Sequence, residues 1–130
     1  MANHKLNDFN GKWRCTHWYP SKDDSAEEST SHIMDAHQDG NTVVLQNTPD
    51  GEKSYLLVRL TIDGKVASGS WHETTPPSSD YEGVGYSGAG QLIVSDDGRH
   101  MEGLWAGAGL DHKLGKMRIY TDKWALERLE

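Results

Sequence analysis

Seven histidines, a single cysteine and scattered carboxylates are the side chains here that invite metal or acid–base chemistry. Their spacing restricts what they can do. His32 and His37 are five residues apart, so on an extended strand they face opposite ways and cannot share one inner site without a bulge. No histidine pair has zinc-motif spacing, and His17 meets His72, His100 or His112 only if the fold brings them together. A lone inward histidine can still ligate a haem iron, and His17 is the first candidate for that role. Cys15 can neither close an intramolecular disulfide nor build a cysteine zinc site, and it reads as a small buried filler. Glu73, beside an aromatic strand, would serve as a general base if its pKa were raised. Paired with Arg118 it would instead recognise a polar headgroup. Ser87-Gly88-Ala89-Gly90 lacks nucleophile-elbow spacing. The Gly-Ala-Gly runs at 88–90 and 107–109 match no dinucleotide or phosphate loop and read as flexible strand ends.

These groups must be positioned by one core, because 130 residues make one domain. The net charge of −7, from 20 acidic against 13 basic residues, disfavours nucleic acid and anionic membrane as partners. No apolar run approaches the roughly 20 residues of a membrane span. With no signal-peptide pattern, a cytoplasmic setting is expected. Fourteen glycines punctuate the chain evenly, and Asp39-Gly40, Asp50-Gly51, Asp63-Gly64 and Asp97-Gly98 suit primed hairpin turns. Between them apolar residues alternate with period two, as at Leu56, Val58, Leu60 and Ile62. Strands are expected at about 12–20, 31–38, 42–48, 54–62, 65–75, 81–87, 90–96, 100–107 and 115–124. Residues 4–10 suit a short helical turn, and 121–129 suit either a last strand or a terminal helix. The acidic run Asp23-Asp24 with Glu27-Glu28 reads as a solvated loop at the mouth, placed to act as a lid. Eight or nine antiparallel strands that bury one face without long open edges predict an all-β, up-and-down barrel, with a two-sheet sandwich as the competitor.

Asn10-Gly11-Lys12-Trp13 opens the first strand with Gly-x-Trp, and Ala67-Ser68-Gly69-Ser70-Trp71-His72-Glu73 adds a second motif. The first resembles the start of the calycin barrels (lipocalin, fatty-acid-binding and avidin-like), and the second is similar to avidin-like Gly-Thr-Trp/Tyr-x-Glu strands. The resemblance implies that Gly11 and Trp13 are structural, with Trp13 plugging the closed end. The opening Gly-Lys-Trp also resembles nitrobindin-like barrels, which implies haem as an alternative cofactor on His17. The disulfide and signal peptide of secreted lipocalins are missing, and the avidin biotin-binding set has no residue-by-residue match. The expected organisation is a lead-in at 1–10, a calycin-like barrel at 11–128, and Leu129-Glu130 as a vector scar.

An inward Trp13 carries Cys15, His17 and Tyr19 with it, and an inward Trp71 carries Gly69 and Glu73. For Arg118 and Tyr120 the inner face stays undecided. Small residues at candidate inner positions, among them Ala36, Ala67, Gly69, Gly83, Gly85, Gly103 and Gly107, are expected to leave space. Rings with polar tips would line it: Tyr19, Trp71, Tyr86, Trp105 and Tyr120, together with His17, Glu73 and Arg118. The leading expectation is a non-enzymatic barrel that binds a small hydrophobic or amphipathic molecule, with the sensor domain of a longer protein as one setting for it. Alternatives are the haem barrel, a small isomerase- or cyclase-type enzyme using Glu73 or a tyrosine, and a structural barrel. A homodimer is left open, with outward Trp18 marking a face to be covered.

Overall fold

The computed structural model describes residues 8–20, 25–48, 54–75, 85–111 and 113–129. Eight strands run in chain order: β1 (Gly11–Pro20), β2 (Glu27–Asp39), β3 (Thr42–Gln46), β4 (Tyr55–Asp63), β5 (Val66–Thr74), β6 (Gly85–Val94), β7 (His100–Asp111) and β8 (Lys116–Arg128). Each pairs antiparallel with the next, and β8 closes onto β1 from Trp13↔Arg128 to His17↔Trp124, making an up-and-down barrel rather than a sandwich. No described residue is helical. The turns Asp39-Gly40, Asp63-Gly64 and Asp97-Gly98 place their glycines at φ of 63°, 63° and 72°, as primed turns require. Asp50-Gly51 lies outside the described residues.

Several boundaries differ from the sequence expectation. The segments at 81–87 and 90–96 form one strand as far as they are described, because Gly88-Ala89-Gly90 sits inside β6 and not at a strand end. The second Gly-Ala-Gly likewise lies inside β7, which runs on to Asp111. Glu27 and Glu28 belong to β2, paired with Pro20 and Tyr19, so they are not part of a lid; Asp23 and Asp24 lie outside the described residues. Residues 121–128 form the end of β8, not a helix, and Leu129 donates its backbone N–H to Lys12 O, so it joins the barrel's hydrogen bonding.

The barrel has two storeys. At the end holding Gly11 and the short turns, inner residues pack a solid apolar core around Trp13, Met34, Leu45, Val58, Leu60, Leu92, Met101 and Leu126. Trp13 is fully buried, donates Nε1–H to Phe9 O at 2.9 Å, and carries the Arg128 guanidinium 5.6 Å from its ring centre. Arg128 also donates to the carbonyls of Asp8 and Asn10, so the last strand ties down the start of the first.

The inner glycines do different work from that expected. A Cβ on Gly69 or Gly103 would meet a neighbouring strand's carbonyl oxygen at 1.8 or 1.9 Å, so these positions let adjacent strands approach where the wall bends. At Gly88 and Gly107 a Cβ would lie 2.6 and 2.5 Å from the Trp71 indole, and at Gly90 it would lie 2.6 Å from Trp124. Tryptophan takes the space at Gly90 and Gly107, whereas at Gly88 the Ala106 carbonyl oxygen, 2.0 Å from such a Cβ, forbids a side chain as well. Gly83 lies outside the described residues.

Because the obstruction at Gly103 is backbone, it cannot rotate away. Gly103→Ala is expected to cost about 2 kcal/mol or more in urea denaturation, whereas Gly103 tolerating alanine at unchanged midpoint would contradict this packing.

Candidate functional site

Pairing registers settle which residues look inward. From buried Trp13, Val58, Leu92 and Leu126, alternation puts His17, Tyr19, His32, Trp71, Glu73, Tyr86, Trp105, Arg118 and Tyr120 on the inner surface. The undecided face of β8 is thereby fixed: Lys116, Arg118 and Tyr120 face in, while Met117, Ile119 and Thr121 face out. The inward residues other than His32 are the eight candidates named from the sequence. They lie in the second storey, nearer the loop end at Pro20, Thr74, Gly85 and Asp111. His32 is inside and buried; His37 is outside, as the five-residue spacing requires.

A polar cluster occupies the β1, β2, β4 and β5 side. Ser54, buried just before β4, donates Oγ–H to Glu73 Oε2 at 2.6 Å, and its oxygen lies 3.3 Å from His32 Nε2. With the serine proton committed to Glu73, the His32 nitrogen acts as donor toward the serine oxygen. Ser54 is held in place by Asn47, whose side chain donates to Ser54 O at 2.9 Å and accepts from Leu56 N at 2.6 Å. The polarity of this chain is opposite to that of a nucleophilic triad, in which the histidine removes the serine proton. His17 stacks on His32 with ring centres 6.0 Å apart, lies 5.6 Å from the Tyr19 ring, and brings Nε2 to 4.0 Å from Glu73 Oε2. Tyr19 shares a hydrogen bond of 3.0 Å with Thr30.

Glu73 did not pair with Arg118, as the sequence suggested. Arg118 bonds Asp111 Oδ2 at 3.1 Å and lies 4.3 Å from the Tyr120 ring centre. Asp111 caps the β7–β8 turn through the backbone N–H groups of Lys113 and Leu114. Burial works to raise the Asp111 pKa, but those N–H donors and Arg118 outweigh it and hold the carboxyl below its usual range. Glu73 therefore has no Arg or Lys partner among the described residues, and its charge is felt across the interior. Burial, reinforced by Glu73, pushes the Cys15 thiol up to about 12 and raises Tyr86. Burial lowers His17 despite the pull of Glu73 in the other direction.

The indoles of Trp71 and Trp105 adjoin this cluster, with Trp71 two residues before Glu73 on β5. Trp71 and Trp105 meet edge to face at 5.6 Å. Trp13, Trp105 and Trp124 each donate Nε1–H to a backbone carbonyl, of Phe9, Trp18 and Gln91 respectively. The buried Nε1–H of Trp71 has no hydrogen-bond partner among the described residues. Outward Trp18 is covered by its own molecule, with Lys123 Nζ 5.2 Å above the ring and 3.5 Å from Glu27.

The sequence did not single out Ser54 or Asp111, and it weighed His32 only as a partner of His37. Inner parity on β1 was readable from Trp13, but the β1–β2 register depends on a connection whose length was misjudged. Among the described residues no three His, Cys, Asp or Glu side chains are placed to hold a metal ion. No helix among them is long and apolar enough to cross a membrane. The fold and site define a closed eight-stranded antiparallel barrel with a half-polar interior. Comparison with protein-family models, curated proteins and solved structures gives no match.

Because the folded state lowers the His17 pKa, the unfolded chain binds the proton more readily. This contribution to stability is intact above about pH 6.5 and is lost as pH falls toward the folded value. His17→Gln should flatten the decline in melting temperature between about pH 7.5 and 5; an unaltered slope would show that His17 is not desolvated in the fold.

Proposed function

We propose that this chain is a calycin-like binding barrel that holds a small, partly apolar molecule in the second storey of its interior. The observation that carries this reading is the polar cluster of Ser54, His17, His32 and Glu73 held inside the barrel beside the Trp71 and Trp105 rings. The rings of Trp71, Trp105, Tyr86 and Tyr19 supply apolar contact, and Ser54, His17 and Glu73 supply orientation. Removing about 200–300 Å² of apolar ligand surface from water contributes roughly 5–8 kcal/mol, enough for micromolar binding when the walls are preformed. The fixed floor of tryptophan over glycine supports such preformation.

The haem alternative finds less support. His17 Nε2 lies 4.0 Å from Glu73 Oε2 and its ring is stacked on His32, so the imidazole sits within the polar cluster. The enzymatic alternative is weakened in a similar way, because Glu73 Oε2 already accepts a hydrogen bond from Ser54.

Thermal-shift and calorimetric screening against a panel of hydrophobic ligands, with native mass spectrometry for any co-purified molecule, tests this reading. At least one ligand should bind in the micromolar range, and Trp71→Ala, which removes the ring, should weaken it by about tenfold. A panel with no binder and no co-purified mass would contradict it.

A further inference from the structure

We infer that the interior selects an organic cation, such as a substituted ammonium group, over a neutral or anionic guest of the same shape; this rests on the binding function proposed above. Glu73 carries a carboxylate on the inner wall, half-buried, with its only described hydrogen-bond donor the neutral Ser54 hydroxyl. The nearest basic group, His17, is 4.0 Å away and is itself buried. Burial keeps that imidazole neutral at physiological pH, so it does not cancel the charge. Arg118, the guanidinium on the inner surface, is committed to Asp111 and Tyr120. Electron-rich ring faces share this storey, with Trp71 and Trp105 packed edge to face and Tyr86 paired directly beside Glu73 across β5–β6. A carboxylate lacking a permanent counter-ion, together with indole and phenol rings, attracts a weakly hydrated cation through both charge and ring quadrupoles.

Isothermal titration at pH 7.5 with phenyltrimethylammonium, its neutral isostere tert-butylbenzene, and benzoate tests the selectivity. The ammonium should bind about tenfold more tightly than the isostere, and Glu73→Gln should abolish that preference. Equal affinities, a preference for benzoate, a preference surviving Glu73→Gln, or no binding by any of the three would overturn the inference. The hydrophobic panel decides separately whether the interior binds a guest at all. Should Glu73→Gln fail to fold, the comparison among the three probes on the unaltered protein still decides.

A second, independent observation concerns the outer wall. The outward positions of β6, β7 and β8 from Ser87 to Ile93, Leu104 to Leu110 and Met117 to Thr121 carry no formal charge, although a quarter of the chain is charged. Ile93, Leu104, Leu110, Met117 and Ile119 are exposed there, with Leu114 in the adjoining turn, and Ala89, Ala106 and Ala108 keep the surface flat. We propose that a second copy of the chain packs on this face about a two-fold axis. Six aliphatic side chains at roughly 100 Å² each, with the alanines between them, approach the ~800 Å² per partner of a standard interface. A charge of −7 on each copy opposes the pairing, so salt should favour it. Sedimentation equilibrium should show twice the 14.5 kDa chain mass at tens of micromolar, strengthening with salt. Ile119→Lys and Met117→Gln should each give a monomer with unchanged circular dichroism. A monomer at every concentration, or a dimer indifferent to both substitutions, would overturn the proposal.

Discussion

The structure depends on the hydrogen bonding of β8 to β1. Without it, the sheet would have two open edges and two solvent-facing surfaces; with it, one surface becomes an interior and no edge remains to template aggregation. Every statement about which side chains can meet follows from that closure, because alternation along each strand then assigns residues to inside or outside. Arg128 reinforces it by reaching from the last strand to the Trp13 ring and to the carbonyls of Asp8 and Asn10.

Closure also creates a filling problem, which the chain solves differently at the two ends. Near Gly11 it uses aliphatic side chains and Trp13 to build a dry core. Beyond that level it sets glycines beneath large indoles, so that Trp71 and Trp124 lie across the barrel wall where any Cβ would obstruct them. The remaining inner positions carry histidine, serine, carboxylate and phenol groups. A barrel selected only for stability would gain from apolar residues there, since a buried polar group at best breaks even once it is satisfied. The polar groups in the second storey are the ground of the binding function proposed above.

Much of the fold was legible in the sequence. Period two at Leu56 to Ile62 and the Asp-Gly turns require antiparallel hairpins, and the absence of long crossings favours a meander over a sandwich. The inner parity of His17, Tyr19, Trp71 and Glu73 followed from the tryptophans on their strands. What escaped was anything that depends on register between strands. Glu73 finds Ser54 and not Arg118 because the β4–β5 pairing and Asn47 bring Ser54 beside it, while Asp111 takes Arg118 within a single hairpin. The glycines misled because composition counts missing volume, whereas only coordinates show that Trp71 lies over Gly88 and Gly107. The same runs looked like strand ends because glycine weakens an isolated strand, a local preference that tertiary packing overrides here.

The most direct test is nuclear magnetic resonance across the closing seam. The structure requires backbone Overhauser contacts between Cys15 and Leu126 and between His17 and Trp124, with slow amide exchange along both strands. Absent contacts, with amides of β1 and β8 exchanging as rapidly as free edges, would show an open sheet and remove the interior on which the site is built.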